Sequence, residues 1–248
     1  MATYVIADLH LSLGEGCNKS MEVFGRRWTG YTEKLERHWR ALISPEDDVI
    51  LPGDISWSLT LEGAEADLRF IDNLPGRKLI GKGNHDFWWS SMTKMNAALE
   101  AWQLSTISFL YNSAIETDEY IATGSRGWFL EEEIAAEATN ADFEKIVARE
   151  AGRLEMSLSA AKSCAGYGKK EVLSFLHFPP VWNGRAVTPF TDVLARHGVR
   201  RCYFGHIHGN YTAPPHFVHE GIDFILISAD YLDFTPRIIC QSDDFLPF

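Results

Sequence analysis

Short apolar runs closed by turn residues, alternating with helical stretches, predict an α/β fold with mixed sheets. The runs are residues 3–7, 49–51, 78–80, 172–176 and 202–204, each followed by polar or glycine residues. The helical stretches are 31–43, with Tyr31, Leu35, Trp39 and Leu42 at helical spacing, and 60–73, with Leu61, Ala64, Leu68 and Ile71. A third, 188–197, starts behind Thr188 with Pro189 in its first turn. Alternating patterns near 113–124 and 217–227 add antiparallel strands, which makes the expected sheets mixed.

Residues 131–164 interrupt this alternation. They open on Glu131, Glu132 and Glu133, are rich in Ala and Glu, and contain no Pro. Phe143, Ile146, Val147, Leu154 and Leu158 give the stretch an apolar set, so one or two inserted helices are expected before the run at 172–176. No repeat or low-complexity linker divides the chain, and 1–248 is expected to form a single domain.

The formal net charge of −11, from 34 acidic and 23 basic residues, makes the chain a poor general binder of extended nucleic acid or of anionic membranes. The four cysteines (Cys17, Cys164, Cys202, Cys240) are far apart with no CxxC, as expected of free thiols in a reducing compartment. The N-terminal residues lack the pattern of a signal peptide, and no apolar run has the length of a membrane span. A cytoplasmic location is expected.

Metal-competent side chains stand where the strands end. Asp8 and His10 follow the first run, Asp54 the second, Asn84 and His85 the third, His177 the fourth, and His206 and His208 the fifth. In α/β folds the loops beyond the strand ends share one crevice. Asp8/His10 and His206/His208 are each separated by one residue, which lets two extended side chains point the same way. Each fragment alone is weak, since a Gly-Asp pair is usually a turn and a lone His is more often a surface or core residue. Five ordered fragments, all at strand ends, are hard to produce by chance.

The order Asp8-x-His10, Gly53-Asp54, Gly83-Asn84-His85-Asp86, His177 and Gly205-His206-x-His208 resembles the calcineurin-like metallophosphoesterase superfamily. The stretches Val23-Phe24-Gly25, Phe87-Trp88-Trp89 and Tyr231-Leu232-Asp233-Phe234 are most similar to its bacterial predicted-phosphohydrolase group, which brings no established substrate. The resemblance implies a two-sheet β-sandwich flanked by helices. It implies that Asp8, His10 and His208 hold one divalent ion, that Asn84, His177 and His206 hold another, and that Asp54 bridges them. It leaves His85 facing the substrate, oriented by Asp86. The implied activity is hydrolysis of a phosphomonoester or phosphodiester by a metal-bridging hydroxide, with His85 protonating the leaving group. Two divalent ions less two carboxylates leave a charge of about +2, or about +1 with a hydroxide, which favours a small anion. Mixed nitrogen and oxygen ligands suit Mn, Fe, Zn, Co or Ni better than Ca or Mg alone.

Two other functions fit the same fold. A non-catalytic scaffold would have lost ligands, and none is missing here. A nuclease would need a basic track, for which the chain offers only Arg26-Arg27, Lys169-Lys170 and Arg200-Arg201. Trp88 is expected either to wall a substrate pocket or to pack into the core with Trp89. Arg126 is expected either to clamp a phosphate or to be an ordinary surface arginine. The loop at 12–30 and the insertion at 131–164 are expected to cover a small phosphoester, with the three glutamates repelling polyanions. The alternative is that the insertion shields a sheet edge or makes a homodimer contact.

Overall fold

The computed structural model describes residues 1–15, 17, 19–128 and 140–240, and it forms two mixed sheets packed as a sandwich with helices on the outside. In the first sheet, β1 (Thr3–Val5), β2 (Asp48–Pro52), β3 (Arg77–Gly81) and β4 (Ile107–Phe109) run parallel. A short β13 (Arg237–Ile238) lies antiparallel on β1. Val49, Ile50 and Leu51 are wholly buried, which is why β2 reads as an unbroken apolar run.

The second sheet has a parallel centre made of β6 (Tyr120–Ser125), β7 (Glu171–Leu176), β10 (Arg201–Phe204) and β12 (Ile222–Leu226). Its edges, β5 (Ala114–Glu116) and β11 (His216–His219), are antiparallel, in the two places where residue alternation predicted such strands. The strand order is β11-β12-β10-β7-β6-β5. A two-residue hairpin, β8 (Val181–Trp182) and β9 (Arg185–Ala186), stands apart.

Helix α1 (Tyr31–Leu42) buries Tyr31, Leu35 and Trp39, one stripe at four-residue spacing. Trp39 also donates its indole N–H to the Pro75 carbonyl at 2.8 Å. The stretch expected at 60–73 starts as a 3-10 turn (Glu62–Ala64), with Gly63 inside it, and continues as α2 (Glu65–Asp72). Helix α3 (Met92–Ala101) is capped by Ser91, whose hydroxyl accepts from the Lys94 N–H.

The interrupting stretch contains a single described helix, α4 (Asn140–Ala161). It packs against β6 and against α5 (Thr188–Arg196) and buries Val147, Ala151, Leu154 and Leu158. Ser157 locks it to the sheet, accepting from Gly124 N–H at 2.9 Å and donating to the Ser113 carbonyl at 2.6 Å. The described part of the insertion is thus an outer layer of the sandwich. The acidic lip expected from Glu131, Glu132 and Glu133 lies outside the described residues.

One core fills the space between the sheets, where Val5, Ile50 and Leu79 meet Leu173, Phe175 and Ile225. The sheets are also stitched together. Residues 3–7 were expected as one strand, but Ala7 crosses to the second sheet and bridges Ser228 in parallel. Ala7 N–H donates to the Ile227 carbonyl and Ala229 N–H to the Ala7 carbonyl, both at 2.9 Å. This seam brings the C-terminal ends of both parallel centres to one place. No helix among the described residues is long and apolar enough to cross a membrane, and the four cysteines are free thiols.

Candidate metal centre

All five motif fragments lie just beyond a parallel strand. Asp8 and His10 follow β1, Asp54 follows β2, and Asn84, His85 and Asp86 follow β3. His177 follows β7, and His206 and His208 follow β10. Four of these residues take left-handed backbone conformations: Asp8 at φ 62°, His10 at 47°, Asp54 at 52° and His206 at 69°. For a residue with a Cβ each costs about 1 kcal/mol or more, so their gathering in one crevice marks it as functional. Two glycines let the carboxylates sit against backbone. A Cβ on Gly83 would collide with Asp54 Oδ1, and one on Gly205 would lie 2.5 Å from Asp8 Oδ2.

The centre has a buried floor and a half-buried rim. Asp8, His10, Asp54 and His177 are at most 2% exposed, while Asn84, His85, His206 and His208 are partly open. Asp8, His10 and His208 offer ligand atoms within 4.8 Å of one another, and so do Asp8, Asp54 and His177. His10 Nε2 faces His208 Nε2 at 3.1 Å and Asp54 Oδ2 at 3.6 Å. On the other side His177 Nε2 is 3.5 Å from Asp54 Oδ2 and 2.6 Å from Asn84 Oδ1, with Nδ1 3.3 Å from Asp8 Oδ1. His206 is tied in by its backbone, donating its N–H to Asp8 Oδ2 at 2.8 Å.

The donor set fits divalent cations. Asp8 Oδ1, Asp54 Oδ2 and His177 Nδ1 are buried polar atoms with no hydrogen-bond partner, and all three border this cluster. Orphaned buried acceptors are costly, and here they converge from both sheets. Burial pushes the Asp8 carboxyl up to about 6, and burial, then the neighbouring Asp86 and Asp8, push Asp54 upward as well. Burial and the surrounding imidazoles hold His10 and His177 well below the usual range, so both are neutral and carry free lone pairs. Buried carboxylates that resist ionising and imidazoles that resist protonation are both relieved by a cation.

Residues not singled out in the sequence support this set. Asp230, wholly buried, lies 2.8 Å from His208 Nδ1 through Oδ1 and accepts from Gly209 N–H through Oδ2 at 2.9 Å. Burial lowers the His208 pKa, but the Asp230 hydrogen bond and the Asp8 charge outweigh it, and the net shift is upward. A carboxylate behind an imidazole fixes which ring nitrogen faces the metal. Trp57 stacks on His10 (centroids 4.9 Å apart, 22° between planes) and meets His85 at 4.3 Å. Trp28 meets His10 edge-on and His208 at a tilt, and Tyr31 donates to the His10 carbonyl at 2.7 Å. A strand-end signal for Asp230 exists, because it follows β12 as the other acids follow theirs. Trp28 and Trp57 carry no local signal.

Trp88, Asp86 and Arg126 have surroundings that the sequence did not show. Trp88 is 1% exposed and packs in the core, so it is no pocket wall; its indole N–H donates to Asp86 Oδ1 at 2.9 Å. Asp86 also accepts the backbone N–H groups of Asp54, Ile55, Ser56 and Gly83 at 2.7–3.3 Å. These five donors hold the carboxylate to the backbone of both loops. Arg126 donates to Glu150 at 3.0 Å and lies over Trp128, which makes it neither a bare surface arginine nor a clamp free of partners.

A family model for calcineurin-like phosphoesterases matches residues 1–210. Among solved structures, the chain is similar to the phosphopantetheinyl hydrolase PptH from Mycobacterium tuberculosis at 14% identity, over 100% of this chain and 98% of that chain, with a TM-score of 0.59. It is also similar to TT1561 of Thermus thermophilus at 10% identity, over 96% of this chain and 98% of that one, with a TM-score of 0.55. At such identities the likeness is one of fold. No curated protein matches the chain significantly. With the family model spanning every motif from Asp8 to His208, the chain belongs to the calcineurin-like phosphoesterase family and is a metal-dependent phosphohydrolase.

Proposed function

We propose that the chain hydrolyses a small phosphomonoester or phosphodiester at a centre of two divalent ions, drawn from Mn, Fe, Zn, Co or Ni. Asp8, His10 and His208 would hold one ion, Asn84, His177 and His206 the other, and Asp54 both. The observation that carries this reading is Asp54 Oδ2. It is buried, accepts no hydrogen bond, and lies 3.6 Å from His10 Nε2 and 3.5 Å from His177 Nε2, imidazoles of opposite sheets. When bound there, divalent ions supply a water of lowered pKa and neutralise phosphoryl oxygens.

The protein's own contribution is positioning. Asp54 Oδ1 accepts the His85 backbone N–H at 2.8 Å, so the residue that would meet the substrate is fixed to the residue that would hold the metals. The His85 ring leans on Trp57 and remains partly exposed, which suits it to protonate a leaving oxygen. The free cysteines fit a cytoplasmic enzyme.

Metal counting tests the centre. Native protein saturated with Mn should carry close to two ions, Asp54→Asn should lose both, and His10→Ala mainly one. No more than one ion at saturation would refute the dinuclear reading. His85→Ala should lower kcat by roughly 10²–10⁴-fold with metal content near normal. A loss of metal in that variant would make His85 a ligand instead.

A further inference from the structure

The loops around the metal centre carry apolar side chains that the fold leaves in water. Of the three aromatic residues after Asp86, Trp88 turns into the core and Trp89 is half-buried, but Phe87 is 59% exposed. Leu59 is 75% exposed, Val23 81%, Phe24 65% and Leu13 46%. Leu13 follows His10, Leu59 follows Asp54 and Phe87 follows His85, so three of the five extend loops that carry the centre.

Contacts join these loops into one arc. The Phe87 ring meets the His85 ring edge-on at 6.1 Å, and Phe87 N–H donates to the His85 carbonyl at 2.8 Å. The His85 ring meets Trp57 at 4.3 Å. Trp57 donates its backbone N–H to the Leu11 carbonyl at 2.9 Å and its indole N–H to Met21 Sδ at 3.3 Å. Met21 opens the 3-10 turn Met21–Phe24, which leaves Val23 and Phe24 exposed. A Cβ on Gly14 would lie 2.5 Å from the Gly63 carbonyl, so the loop beyond Leu13 sits on the loop beyond Leu59. All of these segments meet through Trp57, on the side of the centre where His85 stands.

A structural role does not account for the arc, because side chains this exposed add little to the core. Single exposed apolar residues are ordinary, as Val218 on β11 and Met156 on α4 illustrate. Five of them on segments joined at one ring, beside a crevice, mark what the crevice receives. We propose that Phe87, Leu59 and the Met21–Phe24 turn form an apolar wall for the leaving group, so that the substrate is a phosphoester of an apolar alkyl or aryl alcohol. The proposal rests on the phosphoesterase function proposed above and narrows its substrate class. In that function His85 protonates the leaving oxygen, and the carbon chain behind that oxygen leaves the crevice beside His85, where Phe87 is the exposed ring.

The test compares ethyl and hexyl phosphate, whose leaving alkoxides are nearly equal in basicity, and their methyl diesters, with release of ethanol or hexanol as the readout. Full burial of a methylene is worth about fourfold, and a wall open on one side about twofold, so kcat/KM of the Mn-loaded native protein should rise about tenfold or more from ethyl to hexyl. That ratio should fall to about three or less in Phe87→Ser and in Leu59→Ser, and recover in Phe87→Leu. It should keep its native value in Val218→Ser. The substituted side chains are all exposed, so the variants should fold. A ratio near one in the native protein, the result expected if the rim serves a partner protein instead, overturns the proposal, and so does an undiminished ratio in both Phe87→Ser and Leu59→Ser. Calorimetric titration with ethylphosphonate and hexylphosphonate needs no turnover and should show the same dependence on chain length. Equal affinities for the two phosphonates also overturn the proposal, whereas turnover of none of the esters with this dependence intact would count against the phosphoesterase reading alone.

Discussion

Asp54 and Asp86 are two buried carboxylates in adjoining loops, and they are used in opposite ways. Both are 1% exposed, and Asp86 Oδ2 accepts the backbone N–H of Asp54 at 2.9 Å. Asp86 is satisfied by five donors, whereas Asp54 Oδ2 has none. A carboxylate whose lone pairs are filled by backbone is part of the scaffold. One left unfilled at the same depth is held ready for a cation, at a standing cost to the metal-free protein. The contrast separates what builds the site from what the site uses, and burial alone would not have done so.

The sharpest way to break this contrast is to swap one oxygen for an amide at each position. Asp86→Asn turns an N–H donor toward backbone N–H groups and should destabilise the metal-free protein by roughly 3–5 kcal/mol. Asp54→Asn should change the same stability by less than about 1 kcal/mol, because the amide oxygen can still accept from His85 and a buried charge is lost. Urea denaturation of both variants decides it, and equal losses would erase the distinction.

A second measurement extends the contrast to Asp8, whose carboxyl burial pushes up to about 6. A carboxylate with a raised folded pKa contributes stability that is present below its unfolded pKa, near 4, and lost as pH rises through the folded value. Measured against Asp8→Asn, the metal-free native protein should therefore lose ground between about pH 4 and 6, by on the order of 2–3 kcal/mol, and then level off. Taking the difference removes the opposing contribution of His10 and His177, which are common to both proteins. A difference independent of pH would show that Asp8 is not held in this state.

The smallest effect concerns Asp230, which like Asp86 is bonded through both oxygens but grips the ring of His208, a proposed ligand. Asp230→Asn should weaken metal binding about 10–100-fold through His208, with Asp54 and its loop intact. Competition with a chelator reads this directly, and unchanged affinity would reduce Asp230 to packing.

Much of this was legible along the chain. The parallel strands announce themselves as apolar runs because both of their faces are covered, and the acids and histidines follow because strand ends open onto one crevice. Helix α1 was readable from Tyr31, Leu35 and Trp39. What could not be read depends on partners distant in sequence. The short strands β4 and β13 hold too few residues to set a period. Trp57 looks like any apolar residue until His10 and His85 lie against it. Trp88 follows the Asn84-His85-Asp86 block so closely that a pocket role was plausible, but its ring turns inward. Glu150 and its arginines share a helix whose charges read locally as a solvated face, and only the fold, which buries Glu150 and brings Arg126 to it, separates that carboxylate from the rest.

The seam between the sheets has a consequence for the time scale on which the centre can loosen. The amide hydrogens of Ala7 and Ala229 are engaged across the seam, so solvent deuterium can replace them only when the two sheets part. They lie one residue from Asp8 and from Asp230. Their exchange rates would report, amide by amide, how often the two halves of the crevice separate, and metal binding should slow these two more than the amides of β4 at the far edge of the first sheet.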